Sequence, residues 1–231
     1  MREKNPIIIA LDLEDADQAR ALIRRLGDSV SFYKVGLELF TAAGMPFVRE
    51  LIADGLNVFV DLKLYDIGET VKRTVERVVA SGAQLLTVHA MPAVMRAAVE
   101  GRASSNLKLL AVTVLTSFDQ RDFTEDADQR TVEQVVDTRV RNAVASGIDG
   151  VVCSPVDAAR VRRLLGPDKL LVTPGVRSAT AAAGDQKRIA TPADAIRAGA
   201  DYLVIGRQVT RAADPAAEAR RILDEIAAAV S

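Results

Sequence analysis

Asp12, Lys34, Asp61 and Lys63 lie within the first third of the chain, and along it carboxylate alternates with ammonium. A lysine held between carboxylates stays cationic even when it is partly desolvated. Such an ammonium can stabilise a carbanion and protonate it, whereas a carboxylate that no metal neutralises repels an anionic group on a substrate. These residue types therefore indicate proton transfer to carbon on an anionic substrate.

The elements that must position these residues are eight short apolar runs, each followed by an amphipathic segment. The runs are rich in β-branched residues and too short for buried helices, so they predict strands. The intervening segments have helical periodicity, as in Ala16–Leu26, Thr70–Ala80 and the closing stretch Asp214–Val230. The predicted strands are Ile7–Asp12, Ser31–Gly36, Asn57–Lys63, Gln84–His89, Lys108–Thr113, Gly150–Ser154, Leu170–Thr173 and Tyr202–Gly206.

Regular alternation of strand and helix predicts a parallel sheet, because each return crossover needs a helix. Eight repeats without a break in composition favour closure into an α/β fold of the (β/α)8 TIM-barrel type, as one domain over residues 1–231. An open doubly wound sheet is the alternative, but Leu11–Asp15 lacks the glycines of a dinucleotide-binding turn. Two long loops, Ser117–Gln129 and Thr173–Ala190, have lengths typical of lids or binding loops.

Side chains alternate along a strand, so Asp61 and Lys63 share one face of the third strand. The other face of that strand is apolar and must meet the helices. The same alternation directs Asp12 and Lys34 inward. We therefore expect all four charges at the mouth of the barrel, where the active sites of such barrels lie. The alternative is a structural network of salt bridges that closes one end of the barrel.

A second group of residues, late in the chain, indicates a phosphate site. The eighth strand runs into Gly206 and Arg207, where glycine permits close backbone approach and arginine can pair with phosphate. Arg177 follows a Pro-Gly turn after the seventh strand, and Gln186 lies in the same long loop. Barrels commonly bind phosphate at their seventh and eighth strands. Taken singly, Arg207 and Gln186 are more typical of solvated residues than of a phosphate site.

Composition narrows the classes of partner and compartment. The 30 basic and 31 acidic residues nearly cancel, which argues against nucleic acid or an anionic membrane as partner and favours a small molecule. The single cysteine, Cys153, excludes an internal disulfide. One cysteine and one histidine, His89, are too few ligands for a zinc cluster, so any metal is a hard cation held by carboxylates. The start of the chain, Met1 to Pro6, is too short and charged for a signal peptide, and we expect a cytoplasmic protein.

Together these residues resemble the orotidine 5′-monophosphate decarboxylase family over nearly the whole chain. The Asp-x-Lys-x-x-Asp element is shared with sister barrels. The segments after the seventh and eighth strands make the resemblance specific. The matching segments are 9–12 (IALD), 34–36 (KVG), 61–67 (DLKLYDI), 112–117 (VTVLTS), 173–177 (TPGVR), 185–186 (DQ), 204–207 (VIGR) and 210–215 (TRAADP).

The resemblance implies decarboxylation of orotidine 5′-monophosphate to uridine 5′-monophosphate, in pyrimidine biosynthesis, without metal or cofactor. It also implies a homodimer whose active sites are shared across the interface. In the catalytic array, Lys63 matches the donor of a proton to C6 of the pyrimidine, and Asp61 lies where the substrate carboxylate must sit. Lys34 belongs to the same array, and Asp66 matches a residue that enters the neighbouring subunit's site.

The remaining family positions are substrate contacts. Asp12 and Lys34 match residues that contact the ribose, and Thr116 matches a pyrimidine contact. Thr70, like Asp66, matches a contact made by the other subunit. The phosphate contacts match Arg177, Gln186, Gly206 and Arg207.

Two rival functions stay open at this point. Sister barrels, the 3-keto-gulonate 6-phosphate decarboxylases and hexulose phosphate synthases, use Mg²⁺ and carry a carboxylate at the position of Lys34, where a cation repels the metal. A non-catalytic nucleotide sensor has no need of Lys63 beside Asp61. Tyr65, in place of a frequent histidine, and residues 91–93 depart from the family pattern away from the array. We expect His89 to pack near the site rather than act as a base.

Overall fold

The computed structural model describes residues 5–125, 129–178 and 190–230, and its strands form a closed barrel in sequence order. Every neighbouring pair of strands is parallel, and β8 pairs with β1 to close the ring. The predicted (β/α)8 TIM barrel is therefore confirmed. The strands are β1 (Ile7–Ala10), β2 (Phe32–Gly36), β3 (Asn57–Leu64), β4 (Leu85–His89), β5 (Lys108–Val112), β6 (Gly150–Val152), β7 (Leu170–Pro174) and β8 (Tyr202–Ile205).

Helices follow the strands and surround the barrel. In the described part of the chain, none of them combines the length and apolar character needed to cross a membrane. They are α1 (Ala16–Leu26), α2 (Leu37–Ala53), α3 (Gly68–Val79), α4 (Pro92–Arg102), α5 (Gln120–Glu125), α6 (Val132–Ala145), α7 (Ala158–Leu165), α8 (Pro192–Arg197), α9 (Arg207–Thr210) and α10 (Pro215–Val230).

Local side chains fix where the helices begin and end. The Asp15 carboxylate accepts the Gln18 backbone N–H at 2.8 Å, so α1 starts with a side-chain cap. The same helix stops at Gly27, whose φ of 50° glycine adopts without strain. Thr131 and Gln134 form a reciprocal capping box at the start of α6.

The alternation of side chains along the strands divides the core into two layers. Outward-facing residues of the strands, such as Tyr33, Val35, Val58 and Val60, pack against the helices. The inward-facing residues form a separate apolar layer that fills the barrel: Ile8, Ala10, Phe32, Phe59, Leu85, Leu110, Val172 and Val204. The predicted orientation of the third strand is thereby confirmed, because Asp61 continues the inward row of Phe59.

The observed strand boundaries differ from the predicted ones by no more than two residues. A larger difference lies in the predicted loop 117–129, where the structure has the short helix α5. Its start is fixed locally, since Asp122 accepts the Asp119 backbone N–H at 2.6 Å and Asp119 accepts that of Arg121 at 2.9 Å. Six residues are too few to show a helical period in the sequence.

Helices α3 and α4 pack closely because α4 carries a glycine at the contact. A Cβ atom added at Gly101 lies 2.4 Å from the backbone oxygen of Lys72, closer than real Cβ atoms come to other atoms. Ala103, which ends the same helix, has a φ of 49° that L side chains rarely adopt. Both positions at this end of α4 therefore favour glycine, but only position 101 has one.

We predict that Gly101→Ala destabilises the protein by about 1–3 kcal/mol, because overpacking against the Lys72 backbone outweighs the gain in helix propensity. Ala103→Gly is the matched control and should stabilise it by about 1 kcal/mol, since strain at positive φ is relieved. Urea unfolding monitored by circular dichroism measures both changes. A Gly101→Ala protein as stable as the wild type contradicts the close approach of the two helices.

Candidate active site

The carboxyl ends of the strands surround a cavity of about 610 Å³, a size typical of small-molecule sites. Residues within or just after β1, β2, β3, β5, β6, β7 and β8 line it. The structure thus brings together eight residues that the sequence singled out: Asp12, Lys34, Asp61, Lys63, Thr116, Arg177, Gly206 and Arg207.

The four charged residues of strands β1 to β3 form one continuous chain of ion pairs. Lys34 Nζ lies 2.9 Å from Asp12 Oδ1 and 3.4 Å from Asp61 Oδ2. Lys63 Nζ lies 3.0 Å from the other oxygen of Asp61, Oδ1. Gly36 leaves room for this chain, because a Cβ atom there lies 2.8 Å from Lys34 Nζ. Each carboxylate oxygen of Asp61 therefore faces a different ammonium group.

Burial differs along this chain of charges, and it affects their pKa values. The side chains of Lys34 and Asp61 are 10% and 11% exposed, whereas that of Lys63 is 38% exposed. Burial alone raises the pKa of Asp61, but the charges of Lys34 and Lys63 outweigh it and hold the pKa below the ordinary value. Burial likewise lowers the pKa of Lys34, and Asp61 and Asp12 raise it above the ordinary value. Asp61 is thus anionic and Lys34 cationic at neutral pH.

Strand β3 is irregular where it carries the site. Val60 pairs with Leu86 and Leu64 pairs with Val88, so Asp61, Leu62 and Lys63 stand opposite the single residue Thr87. Lys63 has a φ of 48°, in the left-handed region. Bulges of this kind re-aim side chains and are common beside active sites. The residue pattern does not reveal this bulge, since a regular strand also places Asp61 and Lys63 on one face.

Two arginines occupy the opposite end of the cavity. Burial, together with the charge of Arg207, lowers the pKa of Arg177. The buried Nε of Arg177 has no hydrogen-bond partner among the described residues. Two neighbouring guanidinium groups repel each other, and an anion placed between them relieves the repulsion. This end of the cavity is therefore suited to a phosphate group.

A hydrogen-bond network behind these arginines was not predicted. Gln208 accepts the backbone N–H of Ser178 at 3.1 Å and donates to Glu218 of α10 at 2.8 Å. The Ser178 hydroxyl donates to Glu225, also of α10, at 2.6 Å. Ser178 and Gln208 directly follow Arg177 and Arg207, so the network ties both arginine-bearing segments to the last helix. Nothing in the spacing of these residues reveals it.

Other predicted residues lie away from this cavity. Asp66 and Thr70 are exposed and do not line it, and the Asp66 carboxylate accepts the neighbouring Ile67 backbone N–H at 2.7 Å. Gln186 lies outside the described residues. His89 lines a separate cavity of about 160 Å³ and packs edge-on against Tyr65, with ring centroids 5.6 Å apart. Its pKa is lowered by burial and by the charges of Arg139 and Lys63.

Fold and site together define a (β/α)8-barrel enzyme whose cavity is lined by a charged array and by two arginines. Residues 5–222 match the model of the orotidine 5′-phosphate decarboxylase / HUMPS family. The chain belongs to this family.

Relatives agree with this assignment over nearly the full length. The chain is 56% identical to orotidine 5′-phosphate decarboxylase of Rhodopseudomonas palustris (strain ATCC BAA-98 / CGA009), over 98% of this chain and 96% of the relative. It is 53% identical to the enzyme of that name from Methylobacterium sp. (strain 4-46), over 98% of this chain and 97% of the relative. A crystal structure of orotidine 5′-phosphate decarboxylase from Lactobacillus acidophilus superposes with a TM-score of 0.85 at 35% identity, covering 96% of this chain and 99% of that one.

We predict that the difference in unfolding free energy between wild type and Asp61→Asn depends on pH. The pKa of Asp61 is lowered in the folded protein, so its ionised form adds stability above the unfolded pKa of about 4. That contribution is lost as the pH falls through the folded pKa. The wild type should therefore lose stability relative to Asp61→Asn between about pH 5 and pH 3.

Urea unfolding at a series of pH values measures this difference. Asp54→Asn, which changes an exposed carboxylate, is the control and should leave the pH dependence close to that of the wild type. If the difference in unfolding free energy between wild type and Asp61→Asn is the same at every pH, Asp61 is not held as an anion by its lysines.

Proposed function

We propose that this chain decarboxylates orotidine 5′-monophosphate to uridine 5′-monophosphate and CO2, a step of pyrimidine nucleotide biosynthesis, without a cofactor. The names of its relatives support this reaction. The observation that carries it is Asp61, an anion buried between two ammonium groups, in a cavity whose other end bears two arginines. A cavity lined by both groups suits a nucleotide that reacts at its base and carries a phosphate.

In the proposed reaction, the substrate carboxylate lies beside Asp61, and the repulsion between two anions is relieved when CO2 leaves. The bond from C6 to the carboxylate breaks, and its electron pair stays on C6. Lys63 stabilises that charge and gives C6 a proton from Nζ, and the amine regains a proton from solvent. Its greater exposure compared with Lys34 is compatible with this exchange.

The other residues bind the substrate in this proposal. Asp12 and Lys34 contact the ribose, and Thr116, at the rim, contacts the pyrimidine. Arg177, Gly206 and Arg207 hold the phosphate, and Gln186 joins them from the loop. Binding energy from the phosphate, far from the reacting carbon, holds the ring against the charged array.

The metal-dependent sister reactions fit these residues poorly. A divalent cation shared by Asp12 and Asp61 needs the space between the two carboxylates, and Lys34 Nζ lies there, within 2.9 Å and 3.4 Å of their oxygens. The ammonium repels a metal and replaces its charge. A non-catalytic nucleotide sensor is a second rival function, and a turnover assay distinguishes it from an enzyme.

We also propose a homodimer that shares its active sites. Four large apolar side chains are exposed around Asp66 on one part of the rim: Leu37 (66% exposed), Tyr65 (66%), Ile67 (73%) and Met91 (42%). Clustered exposed apolar residues are typical of protein interfaces. A two-fold partner seated there can bring its Asp66 and Thr70 to the cavity, where this chain supplies neither.

Location and further partners are part of the same proposal. The buried free thiol of Cys153 suits a reducing compartment, and we place the enzyme in the cytoplasm. Near-neutral net charge supports a small-molecule substrate over nucleic acid or a membrane surface.

The first test is turnover of orotidine 5′-monophosphate, followed by the change in absorbance, with and without a chelator. We expect equal rates in both conditions. Lys63→Ala should lower kcat by at least about 1000-fold while uridine 5′-monophosphate binds within about tenfold of wild type, because the ammonium acts mainly on charge that develops in the transition state. Loss of activity with chelator favours the sister reactions, and no turnover by the wild type refutes the proposal.

The shared site is tested by mixing two variants. Lys63→Ala and Asp66→Asn homodimers should each be nearly inactive. A mixed dimer places both lesions in one site and leaves the other intact, if Asp66 serves its neighbour. Equal amounts that exchange subunits freely form mixed dimers about half the time, so about one quarter of wild-type activity should return. With subunit exchange verified by mass spectrometry, activity that stays at the parental level contradicts the shared site.

A further inference from the structure

We propose that Thr87 of β4 is a positioning residue that fixes the proton donor Lys63 relative to the carboxylate Asp61. This inference rests on the proposed function, which makes Lys63 the proton donor. Thr87 is completely buried and does not line the cavity, so a substrate does not touch it. Its action must pass through the residues that do.

The Thr87 hydroxyl contacts both catalytic residues at once. It donates a hydrogen bond to Asp61 Oδ1 at 2.9 Å and accepts the backbone N–H of Lys63 at 2.9 Å. A hydroxyl has one proton to give, so accepting from Lys63 leaves that proton for Asp61. A single oxygen atom, Thr87 Oγ1, thereby connects the Asp61 carboxylate with the backbone nitrogen of Lys63.

The bulge in β3 makes such a connection necessary. Three residues of β3 stand opposite Thr87 alone, and Lys63 adopts a left-handed backbone with a φ of 48°. That conformation is unfavourable for a residue with a side chain and persists only where surrounding contacts hold it. The hydrogen bond from the Lys63 N–H to Thr87 is one such contact, and it aims the lysine at the cavity.

The same hydroxyl also restricts the carboxylate. Asp61 Oδ1 receives Thr87 Oγ1 and Lys63 Nζ, at 2.9 Å and 3.0 Å, while Oδ2 faces Lys34. Rotation of the carboxylate about its terminal bond breaks all three contacts. Catalysis depends strongly on such placement, since a displacement of about 1 Å can cost about 100-fold in rate.

The experiment compares variants that keep or remove the hydroxyl. Thr87→Val keeps the shape and removes both hydrogen bonds, whereas Thr87→Ser keeps the hydroxyl and removes a methyl group. We expect Thr87→Val to lower kcat for orotidine 5′-monophosphate at least about tenfold with KM within about threefold. Thr87→Ser should retain kcat within about threefold.

Thr173→Val is the matched control. Thr173 is equally buried on β7, and its hydroxyl has no hydrogen-bond partner among the described residues. This variant should have wild-type kcat and KM. If Thr87→Val does not fold, Thr87→Ala against Thr87→Ser gives the same comparison, with kcat restored only where the hydroxyl is present.

Three outcomes overturn the inference. Normal kcat in folded Thr87→Val, with only its stability reduced, shows a purely structural hydroxyl. A Thr87→Ser variant as slow as Thr87→Val shows that the methyl group matters instead. Loss of substrate binding in proportion to rate shows a general disruption of the site. Failure of the proposed function gives a different result from failure of this inference, because the wild type itself then does not turn over orotidine 5′-monophosphate.

Discussion

The structure of the site depends on the compensation of one buried negative charge. Asp61 lies at the inner end of the cavity with its side chain 11% exposed, and an unpaired carboxylate there is costly. Lys34 and Lys63 make the burial tolerable, and Asp12 in turn partners Lys34. An anion held in this way stays ionised, as the proposed destabilisation of a substrate anion requires. The ammonium that stabilises Asp61 can therefore also serve as the proton donor.

The barrel supplies the geometry that this charge array needs. Neighbouring parallel strands bring Asp12, Lys34 and Asp61 to the same rim, although many residues separate them in the sequence. The apolar layer below them closes the barrel and excludes water from that side of the charges. The bulge in β3 interrupts the regular ladder between β3 and β4 and gives Lys63 its orientation. The part of the barrel that departs from regular pairing is thus the part that carries chemistry.

The arginine end of the cavity differs from the charged array, in which every charge has a neighbour of opposite sign. Arg177 and Arg207 are like charges held near each other, and the lowered pKa of Arg177 reflects burial and this repulsion. The contacts of Ser178 and Gln208 with α10 hold their segments in place. In the proposed function, a phosphate bound there gains binding energy from an arrangement that folding has already formed. The charged array contains as many carboxylates as ammonium groups, whereas the two arginines are both positive, and in the proposed function this difference orients the nucleotide.

The sequence by itself determined the fold and indicated eight of the residues that line the cavity, because strand periodicity, crossover rules and the inward face of β3 are local or topological properties. It also placed Asp12, Lys34, Asp61 and Lys63 at one rim. Only the tertiary structure decided the bulge opposite Thr87, the left-handed backbone of Lys63, and the network from Gln208 to α10. These features depend on register and on contacts between distant segments, and a period-two pattern is the same with or without them.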